Sequence, residues 1–228
     1  MRPEALELPA AVLWDLDGTL VDSEPYWIES EYALVAAHGG TWDDRHAHAL
    51  VGQDLLTSAR YLRRHGGVDL PPPVIVERLL DAVVARVAEH VPWRPGAREL
   101  LAELRGLAVP CALVTMSYRR LAETVVAALP AGSFAAIVAG DDVTHGKPHP
   151  EAYLTAASRL GVSPADCVAV EDSPTGLASA VAAGVPALGV AHLVPLEPSP
   201  GRHLVSTLEG MTARDLAELR DVARQATG

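Results

Sequence analysis

Phenylalanine occurs once in this chain, and aromatic residues make up only 4% of it. A core of stacked rings is therefore excluded. Ala, Val and Leu must fill the interior, which suits packed helices on a buried parallel sheet. Cysteine is almost as scarce. Cys111 and Cys167 sit in separate apolar stretches, and neither belongs to a CxxC pair. They read as small buried hydrophobes, and a disulfide framework is not indicated. Positive charge is short: 18 Lys and Arg face 29 Asp and Glu, for a formal net charge of −11. With no basic cluster to offset it, that surface disfavours nucleic acid and anionic membranes as partners. No apolar run approaches the length of a membrane span. The opening MRPEALELPAAVLWD has no apolar segment of signal-peptide length before acids intervene. The expected location is cytoplasmic. Internal repeats and long low-complexity tracts are also missing.

What is present is a chain of 228 residues, 49% hydrophobic and 21% charged. That is enough for one sizeable core with a smaller second domain, and too apolar for wholesale disorder. Five short apolar runs read as buried strands: residues 11–14, 111–115, 136–139, 168–170 and 186–190. Helical periodicity falls between and around them, over 96–104, 119–129, 150–160 and 176–183, and a closing helix is expected at 212–223. Strands alternating with helices predict a doubly wound parallel sheet, an α/β fold. Residues 195–201 read as a loop.

The stretch from about 24 to 91 breaks this rhythm. It has no strand-like run and four helical ones, over 26–37, 43–50, 55–64 and 74–89. It reads as an α-helical insert after the first strand, returning through Pro92-Trp93-Arg94-Pro95-Gly96. The expected division is a core domain of 1–22 and 93–228 and a helical cap domain of 23–92. An insert hung on two connections can act as a lid.

The first strand ends in WDLDGTLVDSEP, residues 14–25. Two carboxylates at the tip of a buried strand, followed by a glycine turn, are costly to place near a core. In a parallel α/β sheet, ligands bind beyond the carboxyl ends of the strands. Asp15 and Asp17 follow the first strand, and Thr115 and Ser117 lie at the end of the second. Lys147 lies beyond the third, in Gly146-Lys147-Pro148-His149-Pro150, and Glu171 and Asp172 follow the fourth. All these polar groups converge on one edge of the sheet.

In these residues the chain resembles the haloacid dehalogenase superfamily of phosphatases with a helical cap, a Rossmann-like core with its cap inserted after the first motif. DLDGT at 15–19 matches the first motif, Thr115 the second, Lys147 the third, and Glu171-Asp172 the fourth. The match runs through nearly the whole chain. The resemblance implies phosphoryl transfer to Asp15 as nucleophile, with Asp17 protonating the leaving alcohol and then activating water. It implies Mg²⁺, bound by Asp15 and Asp172, by the backbone carbonyl of Asp17, and by Glu171 directly or through water. Thr115 would hydrogen-bond a phosphoryl oxygen, and Lys147 would neutralise charge on the phosphate and on Asp15.

The resemblance also forks. Haloacid dehalogenases do not need the second aspartate as acid and base, so Asp17 argues for phosphate chemistry. β-Phosphoglucomutases carry cations at positions that align with Trp27, Leu55 and Tyr118, so those cations are missing here. A mutase would have to replace them with Arg119, Arg120, Arg60 or Arg63. The DSEPYW stretch at 22–27 is instead similar to phosphatases of small sugar phosphates, with Glu24, Trp27, Thr115, Ser117 and Lys147 as the substrate-binding set. Phosphoglycolate phosphatase is a further alternative. A response-regulator receiver uses similar groups, but its domain is much shorter and has no such insert. A non-catalytic binding module is the remaining class, and every catalytic position of the family is intact here. The expected partner is a small-molecule phosphomonoester.

Overall fold

The computed structural model describes residues 7–227, with side chains through 224. Residues 1–6 of the expected 1–22 core segment lie outside the described residues. The sheet has six strands in the order β3-β2-β1-β4-β5-β6. They are β1 (Ala11–Trp14), β2 (Cys111–Val114), β3 (Ala136–Val138), β4 (Cys167–Glu171), β5 (Ala187–Val190) and β6 (Arg202–Val205). Every pairing is parallel.

The pleat sorts side chains by size. From β1, β2 and β4, one face receives Val12, Trp14, Cys111, Leu113, Val168 and Val170. The opposite face receives Ala11, Leu13, Ala112, Val114, Cys167 and Ala169. The period of two along each strand produces this split. Helices α5 (Ala97–Gly106), α6 (Arg119–Ala127) and α9 (Ala213–Thr227) contribute Leu100, Leu121 and Leu216 to the first face. Helices α7 (Glu151–Leu160) and α8 (Pro174–Ala182) cover the second with Tyr153, Ala156, Leu177 and Ala180. Both faces of the sheet are thus covered, as a doubly wound fold requires.

The insert consists of α1 (Glu24–Ala37), α2 (Asp44–His48), α3 (Leu55–His65) and α4 (Pro72–Glu89). Helix α4 packs on α1, α3 and α6. Its buried stripe, Ile75, Val76, Leu79, Leu80, Val83 and Val87, has helical spacing. Pro72 and Pro73 begin the helix, where a missing N–H costs nothing.

Three expectations need correction. A sixth strand, β6, forms beyond the expected loop; its sequence, RHLV, has no continuous apolar run. Glu171 is the last residue of β4 and is fully buried, rather than following the strand. Helix α8 begins at Pro174, before Gly176. None of the described helices is long and apolar enough to cross a membrane.

One buried acid stands apart from the sheet edge. Glu31 on α1 is 5% exposed. Burial, then the nearby charge of Glu24, pushes its carboxyl up to about 8, with the Trp42 indole pulling the other way. An acid whose pKa is higher folded than unfolded holds its proton more tightly when folded. Its penalty is therefore absent below about pH 4.5 and grows as pH rises toward 8. Glu31→Gln is expected to gain about 1–3 kcal/mol over the parent at pH 8 and almost nothing near pH 4.5. Urea unfolding at the two pH values measures this, and parallel pH dependences of parent and variant would contradict it.

Candidate active site

The strand order reverses between β1 and β4, and a crevice opens at such a switch point beyond the strand ends. Asp15 stands at that edge, its N–H donating to Val170 O at 2.9 Å. The carboxylates of Asp15, Glu171 and Asp172 offer oxygens that all lie within 4.8 Å of one another. Lys147 closes the group from the other side. Its Nζ donates to Asp15 Oδ1 at 2.7 Å, Glu171 Oε1 at 2.6 Å and Val114 O at 2.8 Å. Three acceptors use all three ammonium protons.

Asp17 is held differently. Its carboxylate accepts from Ser117 Oγ at 2.7 Å, Thr115 Oγ1 at 3.3 Å and Ser23 Oγ. Thr115 also accepts the Ser117 N–H at 2.9 Å, which fixes both hydroxyls on one turn after β2. Asp15 therefore pairs with an ammonium, while the side-chain hydrogen bonds to Asp17 among the described residues come from hydroxyls.

Two glycines make this packing feasible. Gly18 turns the chain with φ +86°, and a Cβ there would lie 2.0 Å from Asp172 Oδ2. A Cβ on Gly176 would lie within 2.0 Å of the Glu171 carboxyl atoms. Lys147 and Tyr153 hold that carboxyl in place, so it cannot simply swing aside. Ser173 caps α8, its Oγ accepting the Gly176 N–H at 3.0 Å and donating to Glu171 Oε2 at 3.1 Å.

The charges do not balance. Burial first, then Glu171 and Asp172, push the Asp15 carboxyl well above the usual carboxylate range, with Lys147 opposing. Burial and Glu171 carry Asp172 to about 7. Burial alone would lower Lys147, but Asp15 and Glu171 outweigh it and hold the ammonium charged. One cation for three clustered carboxylates, two of them buried, is a deficit that a hard divalent ion, with its preference for oxygen ligands, fits.

Of the residues expected from sequence, Asp15, Asp17, Thr115, Ser117, Lys147, Glu171 and Asp172 are brought together. Glu24 lies at the start of α1, where burial and the charges of Asp17 and Asp22 raise its carboxyl to about 7. Trp27, one turn further on, is 9% exposed and packs in the apolar core. Its flat face is therefore largely used by the protein itself.

Sequence reasoning missed three partners. Tyr153 is fully buried on the sheet-facing side of α7 and donates to Glu171 Oε1 at 2.7 Å. The Lys147 ammonium also lies 5.2 Å from its ring centroid. Thr19 donates to Asp172 Oδ1 at 3.3 Å, tying the first motif to the fourth. Ser23 donates to Asp17. Tyr153 had one legible signal: a phenol on an otherwise alanine-rich helix face needs a polar partner.

A family profile described as haloacid dehalogenase-like hydrolase matches residues 9–184. Hexitol phosphatase A of Escherichia coli K12 is 34% identical over 180 residues, 78% of this chain and 81% of that protein. Hexitol phosphatase B of the same organism is 31% identical over 215 residues, 90% of this chain and 96% of that protein. Among solved structures, CbbY from Rhodobacter sphaeroides in complex with phosphate superposes with a TM-score of 0.82 at 29% identity, covering 92% of this chain and 99% of that one.

Lys147→Met should leave Glu171 buried beside a methyl group and cost about 3–5 kcal/mol in metal-free protein. Asp15→Asn should leave stability level or raise it, because it relieves crowding. Denaturant unfolding of both variants under chelation tests the pair. Equal losses would contradict the charge arrangement.

Proposed function

The chain belongs to the haloacid dehalogenase-like hydrolases, and we propose that it is a Mg²⁺-dependent phosphatase of a small sugar or polyol phosphate, working through an aspartyl-phosphate on Asp15. The observation that carries this reading is the pairing of Asp15, tied to an ammonium, with Asp17, tied to hydroxyls. The two carboxyls thereby suit different tasks.

Asp15 Oδ attacks phosphorus and the ester P–O bond breaks. Asp17 gives its proton to the departing alkoxide. Asp17 then takes a proton from water as that water attacks the acyl phosphate, which frees Asp15 and inorganic phosphate. Lys147 holds Asp15 oriented and offsets charge on the phosphoryl group. Thr115 and Ser117 present hydroxyls to its oxygens. Asp15 and Asp172 side chains and the Asp17 carbonyl would hold Mg²⁺, with Glu171 reaching it directly or through water. When bound, the ion supplies positive charge to the phosphoryl oxygens.

Residues 23–92 act as the cap, with connections near 22–24 and 91–96 as hinges. Glu24 offers a carboxyl to substrate hydroxyls, and Trp27 forms the wall behind it. The named hexitol phosphatases support a polyol or sugar substrate. So do the acidic partners of three of the four arginines that a mutase could use for a second phosphate, Arg60 being the fourth. Arg119 is engaged by Asp142, and Arg120 reaches Asp81 at 2.8 Å and Glu77 at 3.5 Å. Arg63 faces Asp69 at 4.0 Å.

Asp15→Asn is expected to abolish phosphate release from a panel of hexitol phosphates and fructose 1-phosphate, with the fold retained. Supplying β-glucose 1-phosphate with a trace of the 1,6-bisphosphate separates the two chemistries. Release of inorganic phosphate supports the phosphatase, whereas efficient formation of glucose 6-phosphate with little free phosphate would overturn it. The Mg²⁺ concentration for half-maximal activity should rise as pH falls below 7, because protons compete with the ion for Asp172. Asp172→Ala should raise that concentration at every pH. A requirement for Mg²⁺ that is flat from pH 8 to 6 would contradict this.

A further inference from the structure

The loop that delivers Lys147 carries a second group of ligand-type side chains. His145 and His149 flank Lys147 at a distance of two residues on each side, and Glu151 opens α7. Their candidate ligand atoms all lie within 4.8 Å of one another. The three converge on one oxygen. Glu151 Oε2 is hydrogen-bonded to His145 Nδ1 at 2.9 Å, a contact that a bound ion would replace, and lies 3.9 Å from His149 Nδ1. Ligands about 2.0–2.1 Å from a tetrahedral metal stand about 3.3 Å apart, and the two observed separations bracket that value. The imidazole centroids are 4.6 Å apart.

We propose that His145, His149 and Glu151 form a second metal site, for a divalent ion of the Zn²⁺ type that accepts imidazole nitrogen, and that the bound ion clips the loop carrying Lys147. The donor set selects against Mg²⁺, which takes oxygen ligands, and in favour of Zn²⁺, Co²⁺ or Ni²⁺. The carboxylate is already held in place. Glu151 accepts the N–H of Thr144 at 2.7 Å and of His145 at 2.9 Å. The Thr144 N–H bond first, then the His145 ring and N–H, hold its carboxyl below the usual range. The far side of the loop is anchored as well, because Ser179 Oγ donates to His149 O at 2.7 Å. The His149 ring would exchange its long contact with the Glu151 N–H, 3.3 Å, for the metal or present its other nitrogen. The side chains of His145, His149 and Glu151 are 62%, 52% and 27% exposed. An ion therefore has access, and water completes its coordination.

The consequence is mechanical. Lys147 sits between the two histidines, so an ion joining them to Glu151 shortens the freedom of the segment that positions its ammonium. Nothing in this depends on the phosphatase reading, and the test needs no turnover.

Co²⁺ is titrated into the full chain in excess Mg²⁺, which keeps the carboxylate site filled, and the visible d–d absorption is followed. One equivalent of Co²⁺ is expected to give a low-symmetry band of raised intensity, and Zn²⁺ should displace it. In the His145→Ala, His149→Ala variant affinity should fall by more than about 100-fold, beyond what loss of outer-shell partners alone costs. Both histidines are exposed, and an unchanged metal-free circular dichroism spectrum confirms that the variant folds. With Zn²⁺, amide exchange over 144–149 should slow in the parent and not in the variant. The band surviving in the variant, no band in the parent at millimolar Co²⁺, or unaltered exchange over 144–149 would each overturn the proposal.

Discussion

Lys147 is the interaction on which the edge of this sheet depends. Glu171 ends a central strand with no exposed surface, and Asp15 is 7% exposed. Two carboxyl groups so placed need a cation between them to coexist with an apolar core. The loop of residues 144–150 carries that cation across from β3, and Tyr153 and Ser173 satisfy what remains of Glu171. Gly176 must lack a side chain because the Glu171 carboxyl occupies the space it would need. A single buried acid thus dictates a lysine on one loop, a phenol on one helix and a glycine on another.

The same constraint separates the roles of the two aspartates. In the proposed mechanism Lys147 holds Asp15 oriented as the nucleophile toward phosphorus. The hydroxyls of Thr115, Ser117 and Ser23 around Asp17 can donate to a carboxylate or turn to accept from a carboxylic acid, because a hydroxyl rotor does both. In the proposed mechanism Asp17 exchanges a proton twice per turnover, and partners of that kind serve it well. The acid excess left over, centred on Asp15 and Asp172, is what the proposed divalent ion would offset.

Much of this was legible in the sequence because its signals are local. Short Val, Leu and Ala runs bounded by polar residues marked five strands, and DLDGT marked the acidic tip. What was not legible depended on tertiary neighbours. Strand β6 pairs only with β5 at the sheet edge and needs no continuous apolar run, so RHLV carries no signal. Glu171 looked like a turn acid, since nothing in VAVEDS tells a buried carboxylate from an exposed one without the lysine 24 residues earlier. The partners of Thr19 and Tyr153 are visible only once Asp172 and Glu171 stand beside them. Trp27 belongs to the expected substrate-binding set, yet the apolar core takes up most of its surface.

The account rests on a covalent intermediate at Asp15, and the stereochemical course at phosphorus tests it most directly. A hexitol phosphate made chiral with three oxygen isotopes is hydrolysed, and the configuration of the phosphoryl group is followed in a trapping acceptor alcohol. Attack by Asp15 and then by the acceptor oxygen inverts phosphorus twice, so the account predicts net retention. Net inversion would mean a single direct displacement and would contradict it.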